Sequence, residues 1–405
     1  MVSPINHDDV QAPEFPTARG CPFAEPSGYA TLRAGGAPVS RVTLYDGRQV
    51  WIVTGYEAAR QVLVDNEGFS SVRNDPRFPA TAPRFAAASK IRNFLGMDPP
   101  DHTRQRRPLT SSFTVKRMAS YRPGIQRIVD GLLDDLLAKE PTVDLVPAFA
   151  LPVPSMAICH ILGVPYADHS FFEEQSRRIV HGESSLEEST QAFANIRSYM
   201  ADLIDAKRRE RGDGLLDEMV TIFLDSGELT RDELSEMALL LLVAGHETTA
   251  NAIALGVLTL LERPVVRNEL GRTPPLISNV VEELLRLLSI ADGVPRFATR
   301  DTEIAGQPVA AGDGVIVAIA ASNRDTAVFS DPDTFDPHRS ARRHLAFGYG
   351  IHQCLGQNLA RAEMEIALST VFTRIPTLRL AVPPEEIQLK HPAGLHGVVA
   401  LPVTW

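Results

Sequence analysis

Apolar and polar residues alternate along VSRVTLYDGRQVWIVTG, residues 39 to 55, on both sides of Asp46-Gly47. A period of two turns one face toward a core and the other toward water, and Asp-Gly accepts the positive φ of a tight turn, so the pattern predicts a β-hairpin. Further short strands are expected across TEIAGQPVAAGDGVIVAI, residues 302 to 319, which Gly and Pro punctuate. Elsewhere apolar residues recur at spacings of three and four, predicting helices over 115 to 138, 185 to 211, 276 to 288 and 357 to 374. The clearest helix starts at Thr230, with Glu233 three residues on as a capping box, and stops before Pro264. Running from 231 to 263, it would span about 50 Å and cross the whole molecule.

The middle of that helix departs from the apolar pattern with Ala244, Gly245, His246, Glu247, Thr248 and Thr249. Thr248 lies four residues after Ala244, so its hydroxyl can reach the Ala244 carbonyl, while Gly245 leaves space beside it. One reading is a core threonine satisfied by its own helix, with Glu247 turned to water. The other is a proton relay, which requires an acid beside a hydroxyl. Residues 74 to 98, with three prolines and little periodicity, read as a long loop, and residues 1 to 26 as a loose lead-in to a single domain spanning 1 to 405.

Composition narrows the classes. An apolar fraction of 44% is that of an ordinary globular protein, and 405 residues exceed what one core usually serves, so two lobes or a large buried cofactor are expected. The formal charge of -10 argues against a nucleic-acid binder or an anionic-membrane binder. Cys21, Cys159 and Cys354 are widely separated and odd in number, which points to a reducing compartment, the cytoplasm. The first twenty residues lack an apolar core, so neither a secretory signal nor an anchor is expected, and the greasy stretch 237 to 261 carries His246, Glu247 and Asn251 at its centre, where a membrane span tolerates them poorly.

The densest chemistry is FGYGIHQCLGQNLAR, residues 347 to 361, where Cys354 stands among glycines just before a predicted helix. A thiolate is the metal-ligating form of cysteine, and a helix N-terminus favours it. Gly350 and Gly356 would let the backbone approach a large flat ligand. A zinc site would need further Cys or His at useful spacing, and a Cys-His nucleophile would need the two side chains to face each other with an orienting acid. A buried structural cysteine would leave the glycines unexplained.

The pattern Phe347-x-x-Gly350-x-His352-x-Cys354-x-Gly356 resembles the haem-ligand signature of the cytochrome P-450 family. Three more segments resemble that family in the right order: Ala244-Gly245-His246-Glu247-Thr248, Glu283-Leu284-Leu285-Arg286, and Asp101-His102-Thr103-Arg104-Gln105-Arg106. The likeness is greatest to soluble actinomycete members that modify natural products. It implies a mainly α fold, a triangular prism with a long central helix and a small β-rich lobe.

The resemblance implies one haem b with Cys354 as axial metal ligand and Ala244, Phe347, Gly348 and Gly356 around it. It also implies His102, Arg106, Arg296 and His352 on the propionates, and Glu247 with Thr248 in catalysis of O2 activation. Glu283 and Arg286 would form a structural network with a further arginine or asparagine. Val243, Ile290, Val294 and Leu395 would line the substrate pocket. The activity implied is insertion of one oxygen atom into a macrolide or other polyketide, a terpenoid or a steroid, by hydroxylation or epoxidation, in a monomeric cytoplasmic enzyme. The chain has no dinucleotide fingerprint and no Fe-S cysteine cluster, so electrons would come from an acidic ferredoxin and its NAD(P)H-dependent reductase. Arg104, Arg107, Lys116, Arg117, Arg342 and Arg343 are the expected basic dock. A peroxide-driven peroxygenase or decarboxylase usually lacks the acid-alcohol pair, and a haem sensor would not need one.

Overall fold

The computed structural model describes residues 12–405 apart from 84–85, 87–92, 181–184 and 391–394. The predicted hairpin is β1 (Val39–Thr43) and β2 (Gln49–Val53), paired antiparallel from Val39 opposite Val53 to Thr43 opposite Gln49, with Gly47 at φ +81° in the turn. It joins β3 (Phe69–Ser70), β5 (Val294–Ala298) and β8 (Gly314–Val317) in one sheet of order β1-β2-β8-β5-β3, in which β2 and β8 run parallel. The expected strands of 302–319 are β6 (Thr302–Ile304), β7 (Gln307–Val309) and β8. A smaller sheet pairs β10 (Pro402–Thr404) with β4 (Thr142–Asp144) and β9 (Arg379–Leu380).

The long helix, hereafter the central helix, spans Arg231–Leu261, and its capping box forms as predicted, with Glu233 N–H on the Thr230 hydroxyl and Thr230 N–H on the Glu233 carboxylate. It ends before 263 because Arg263 precedes Pro264 and is pushed out of the helical region, at φ −130°. Helices Pro152–Leu162, Leu186–Arg209, Ile277–Leu288 and Gln357–Arg374 pack around it, so its length and apolar character belong to a core helix, buried over 67% of its most apolar window. Burying such surface is the main favourable term in folding.

Two expectations need correcting. Of the lead-in, residues 12–26 are anchored rather than loose: Phe15 is buried and donates its N–H to Thr43 O at 2.9 Å, and Thr43 returns a bond to Pro13 O. Within 74–98, Pro83 and Ala86 have helical backbone, and a short 3-10 turn covers Phe94–Gly96, so this stretch is not wholly a loop. Proline breaks a helix interior but suits a first turn, where its missing N–H has no partner to lose.

Candidate active site

The Cys354 loop is folded by its own backbone. Gly348 and Gly350 adopt φ +69° and +73°, Cys354 N–H reaches Phe347 O at 2.7 Å, and Gln353 N–H reaches Gly350 O at 3.1 Å. Gly350 is required for a reason different from the one expected: a Cβ there would overlap the Leu63 carbonyl of helix Tyr56–Val64, so the close approach is to the protein's own backbone. Gly356, just ahead of helix Gln357–Arg374, has nothing within 4 Å of where a Cβ would stand. Cys354 remains accessible yet lies amid enough protein that burial pushes its thiol up, against the opposing pull of the Gly356 N–H, Arg106 and Arg361. Helix-end donors alone therefore do not make it a thiolate, and a bound cation would.

Beside the cysteine, basic groups gather without matching acids. His102, on helix Asp101–Leu109, and His352 lie with ring centroids 4.4 Å apart. Arg106, one turn after His102, donates to the Gln353 carbonyl and bears electrostatically on Cys354. Arg296 is buried in β5, where burial and Arg73 push it down to about 10. Burial lowers His352 to about 2, helped by Arg296, His102, Arg106 and Arg73, and lowers His102 to about 4, helped by Arg106. Neither ring nitrogen of either histidine makes a well-formed hydrogen bond among the described residues; the Ile351 backbone lies near His102 without meeting it in bonding geometry. Among the described residues Asp98 is the acid bearing on His102 and Arg296, and it is already engaged by the Ser70 hydroxyl at 2.6 Å and Ser71 N–H at 2.9 Å. Buried charge calls for a counter-charge. A group bearing carboxylates and a thiolate-seeking metal fits both this cluster and Cys354, so the residues present suit a haem.

In the central helix, Thr248 donates to the Ala244 carbonyl at 2.8 Å, as its spacing predicted. Ala244 is exposed although Leu241, Leu242, His246 and Glu247 are buried, and Val243 is half-buried. The accessible step therefore lies at Ala244 and Thr248. Gly245 faces Ile158, where a Cβ would make only ordinary contact at 3.7 Å, so it is not the source of that space. Glu247 does not turn to water: it is buried and paired with Lys390, which also donates to Asn251 Oδ1 at 2.8 Å.

Behind the site, buried acids and bases are paired with one another. Glu283 and Arg286 form a two-bond pair at 2.7 and 2.8 Å with both side chains at 0% exposure, unlike the surface pair that a bare i, i+3 spacing usually gives. Arg286 also donates to the carbonyls of Asn323, Pro332 and Thr334, and the expected third member is Arg339, whose Nε meets Glu283 at 3.1 Å. Nearby, Glu282 takes bonds from His344 and Arg361, and Arg361 stacks over Phe347 at 4.6 Å. Of the expected pocket residues, Ile290 is buried and its carbonyl holds His396 N–H, Leu395 is half-buried against the helical core, and Val294 packs against the sheet's cluster. Of the expected dock, Arg107, Lys116, Arg342 and Arg343 are exposed, whereas Arg117 is paired with Glu218 and Arg104 turns to Glu228 O. Sequence reasoning missed Arg73, Glu282, His344, Arg361 and Lys390; only Arg361 sits within a motif that could have flagged it.

A profile described as Cytochrome P450 matches residues 32–272 and 273–399. The chain is 56% identical over 398 residues to pentalenic acid synthase of Streptomyces avermitilis and 50% identical over 398 residues to vitamin D3 dihydroxylase of Streptomyces griseolus, with 98% of each chain covered in both cases. The solved mycinamicin VIII C21 methyl hydroxylase of Micromonospora griseorubida, bound to mycinamicin VIII, superposes with a TM-score of 0.91 at 42% identity, covering 97% of this chain and all (100%) of that one. With matched Cys354, acid-alcohol and Glu283-Arg286 segments in one fold, the chain belongs to the cytochrome P450 family, among its actinomycete haem-thiolate monooxygenases.

Proposed function

We propose that this enzyme holds haem b through the Cys354 thiolate and inserts one oxygen atom of O2 into a lipophilic natural product of macrolide, terpenoid or steroid type. The observation that carries the assignment is the acid-poor gathering of buried His102 and Arg296 with half-buried His352 and Arg106 beside an accessible Cys354. In this reading those four side chains bind the two propionates, which supply the missing negative charge. The haem, once bound, provides the oxygen-activating chemistry. Ala244, Phe347, Gly348 and Gly356 pack around it. Thr248 holds a hydroxyl at the exposed step of the central helix, and Glu247 hands protons toward it. Val243, Ile290, Val294 and Leu395 line the substrate space, and the apolar character of that set favours a lipophilic ligand.

Electrons reach the site from an acidic ferredoxin and its NAD(P)H-dependent reductase, docked on Arg107, Lys116, Arg342 and Arg343, in the cytoplasm and with the enzyme a monomer. The proposal is tested with Cys354→Ser: the reduced carbonyl adduct should lose its long-wavelength Soret band, and a normal spectrum in that variant rejects Cys354 as ligand. A spectral-shift screen of macrolides, terpenoids and steroids on the purified protein, followed by product analysis, then identifies the substrate. A shift with no product under any electron supply would reject the monooxygenase role of this site.

A further inference from the structure

The N-terminal segment and a C-terminal hairpin enclose a cavity that the proposed reaction does not use. The segment closes on itself through Ser27 N–H on Ala18 O at 3.1 Å and the Arg19 guanidinium on Ala24 O at 2.7 Å. The hairpin carries the Leu389–Val398 bridge and is tied to the segment by His396 Nε2–H on Pro22 O at 2.9 Å, and to the body by His396 N–H on Ile290 O at 2.9 Å. Between them lies a cavity of about 250 Å³, and none of His102, Arg106, Arg296 and His352 lines it.

Most of its wall is apolar, from Phe15, Pro16, Pro26, Leu389 and Leu395, with Thr17 and Arg19 set among them. Thr17 Oγ1 is buried and has no hydrogen-bond partner among the described residues. Arg19 is half-buried, donates to Ala24 O and forms no ion pair among the described residues. Burial pushes its guanidinium down from the usual value, by more than Asp292, Tyr29 and Glu25 restore. Both of those acids are engaged elsewhere: Glu25 meets Arg33 through both oxygens, and Asp292 takes Gly293 N–H at 2.8 Å and Ala320 N–H at 3.1 Å. The other cation of the wall, Lys390, is matched by Glu247. Arg19 is therefore a cation short of both water and counter-charge, at the edge of an apolar space. Its planar fork suits a carboxylate, and the apolar walls suit a hydrocarbon or aromatic body better than a strongly hydrated dianion.

We infer that this cavity is a second small-molecule site, separate from the haem pocket, for a monocarboxylic acid with a compact apolar body. Arg19 and the Thr17 hydroxyl take the carboxylate, and Phe15, Pro26, Leu389 and Leu395 enclose the body. Leu395 is also in the set proposed for the substrate space, so the haem pocket is the neighbour from which this site must be distinguished.

The test is equilibrium dialysis of 4-tert-butylbenzoate against the holoenzyme, with the haem pocket filled by saturating 4-phenylimidazole and that occupancy followed by its Soret shift. One equivalent should be retained with a Kd below about 1 mM, and 4-tert-butylbenzamide, which keeps the shape without the charge, should bind about tenfold more weakly. Arg19→Gln should weaken the benzoate by a similar factor and Thr17→Val by about threefold, in proteins whose reduced carbonyl spectra and melting temperatures match the parent. Benzoate that is retained only when 4-phenylimidazole is left out occupies the haem pocket, which overturns the second site. No retention under either condition overturns it as well, and so does retention undiminished in Arg19→Gln. Equal binding of amide and acid by the parent protein overturns the carboxylate assignment without recourse to any variant.

Discussion

Replacing Arg286 by methionine tests whether the buried charge network is what fixes the frame behind the site. The substitution keeps much of the side-chain volume but removes both bonds to Glu283 and the donors to the Asn323, Pro332 and Thr334 carbonyls. Breaking a buried ion pair costs about 3–5 kcal/mol, and each unsatisfied carbonyl adds about 1 kcal/mol or more. Against this, Glu283 keeps Arg339 Nε and Asp336 N–H, and the methionine gains some apolar burial. A net loss of about 4 kcal/mol is the reasonable expectation. For 405 residues the unfolding entropy is about 0.85 kcal/mol/K, so the melting temperature should fall by about 5 °C. The control is Arg178→Met, which removes an i, i+4 pair to Glu174 at 46% and 35% exposure. That pair is worth about 0.3–0.5 kcal/mol, and its loss should move the transition by less than about 1 °C. Both are read from circular dichroism melts of the haem-loaded proteins at one scan rate. Because Asn323 Oδ1 also holds Leu345 N–H at 2.7 Å, on the approach to the Cys354 loop, Arg286→Met should in addition release haem to apomyoglobin faster. Equal shifts in the two variants, or haem release unchanged, would refute the reasoning.

Burial pushes the Glu282 carboxyl up, but the bonds and charges of His344 and Arg361 prevail and hold it down to about 2. Between its ordinary value of 4.5 and about 2 the unfolded chain binds more protons, so about 3 kcal/mol of stability, complete above 4.5, is lost as pH falls through this window. Tryptophan-fluorescence unfolding against pH should show a flatter acid limb in Glu282→Gln, and an identical limb contradicts the assignment. Gly350→Ala should destabilise by about 2–4 kcal/mol, since it combines positive φ with overlap on the Leu63 carbonyl, whereas Gly356→Ala should cost under about 1 kcal/mol. Similar denaturant midpoints for the two would remove that distinction. Arg107→Glu and Arg342→Glu should slow reduction by ferredoxin several-fold at low ionic strength, with the gap closing as salt rises. Stopped-flow rates insensitive to salt would discard this dock.

What the sequence made visible was whatever depends on neighbours along the chain. The central helix could be bounded from Thr230, Glu233 and Pro264, and the hairpin from alternation around Asp46-Gly47, because capping and turn chemistry are local. The bond from Thr248 to Ala244 followed from i, i+4 spacing alone. The partners of Glu247 and Gly350 are set by tertiary approach and had no local sign: Lys390 is 143 residues from Glu247, and Leu63 belongs to a helix of the N-terminal part. Gly350 carries the particular lesson that a motif can be matched correctly and explained wrongly. Its glycine was identified from the family pattern, but the contact that forbids a side chain is protein against protein. In the 74–98 stretch the prolines misled for the opposite reason, since the same residue that ends one helix opens another.

The way charge is buried separates frame from site in this molecule. Around Glu283 the carboxylate meets Arg286, Arg339 and Asp336 N–H, and around Glu282 it meets His344 and Arg361, so acid and base nearly cancel within hydrogen-bond distance. A network of that kind fixes one arrangement of the chain and asks for nothing from outside. Around His352 the balance is reversed: four basic side chains bear on it, burial has already removed its own charge, and Asp98, the acid that bears on the neighbouring His102 and Arg296, is committed to Ser70 and Ser71. Folding would not assemble such a cluster for its own stability, because each buried cation there raises the cost of the next. It becomes favourable only with an anionic group bound, so loading of the cofactor and completion of the fold around helix Asp101–Leu109 are expected to be thermodynamically linked. Glu247 stands between the two cases. One oxygen is matched by Lys390 as in the frame and the other is open as in the site, which is the arrangement a group must have if it is both to be held in place and to move a proton.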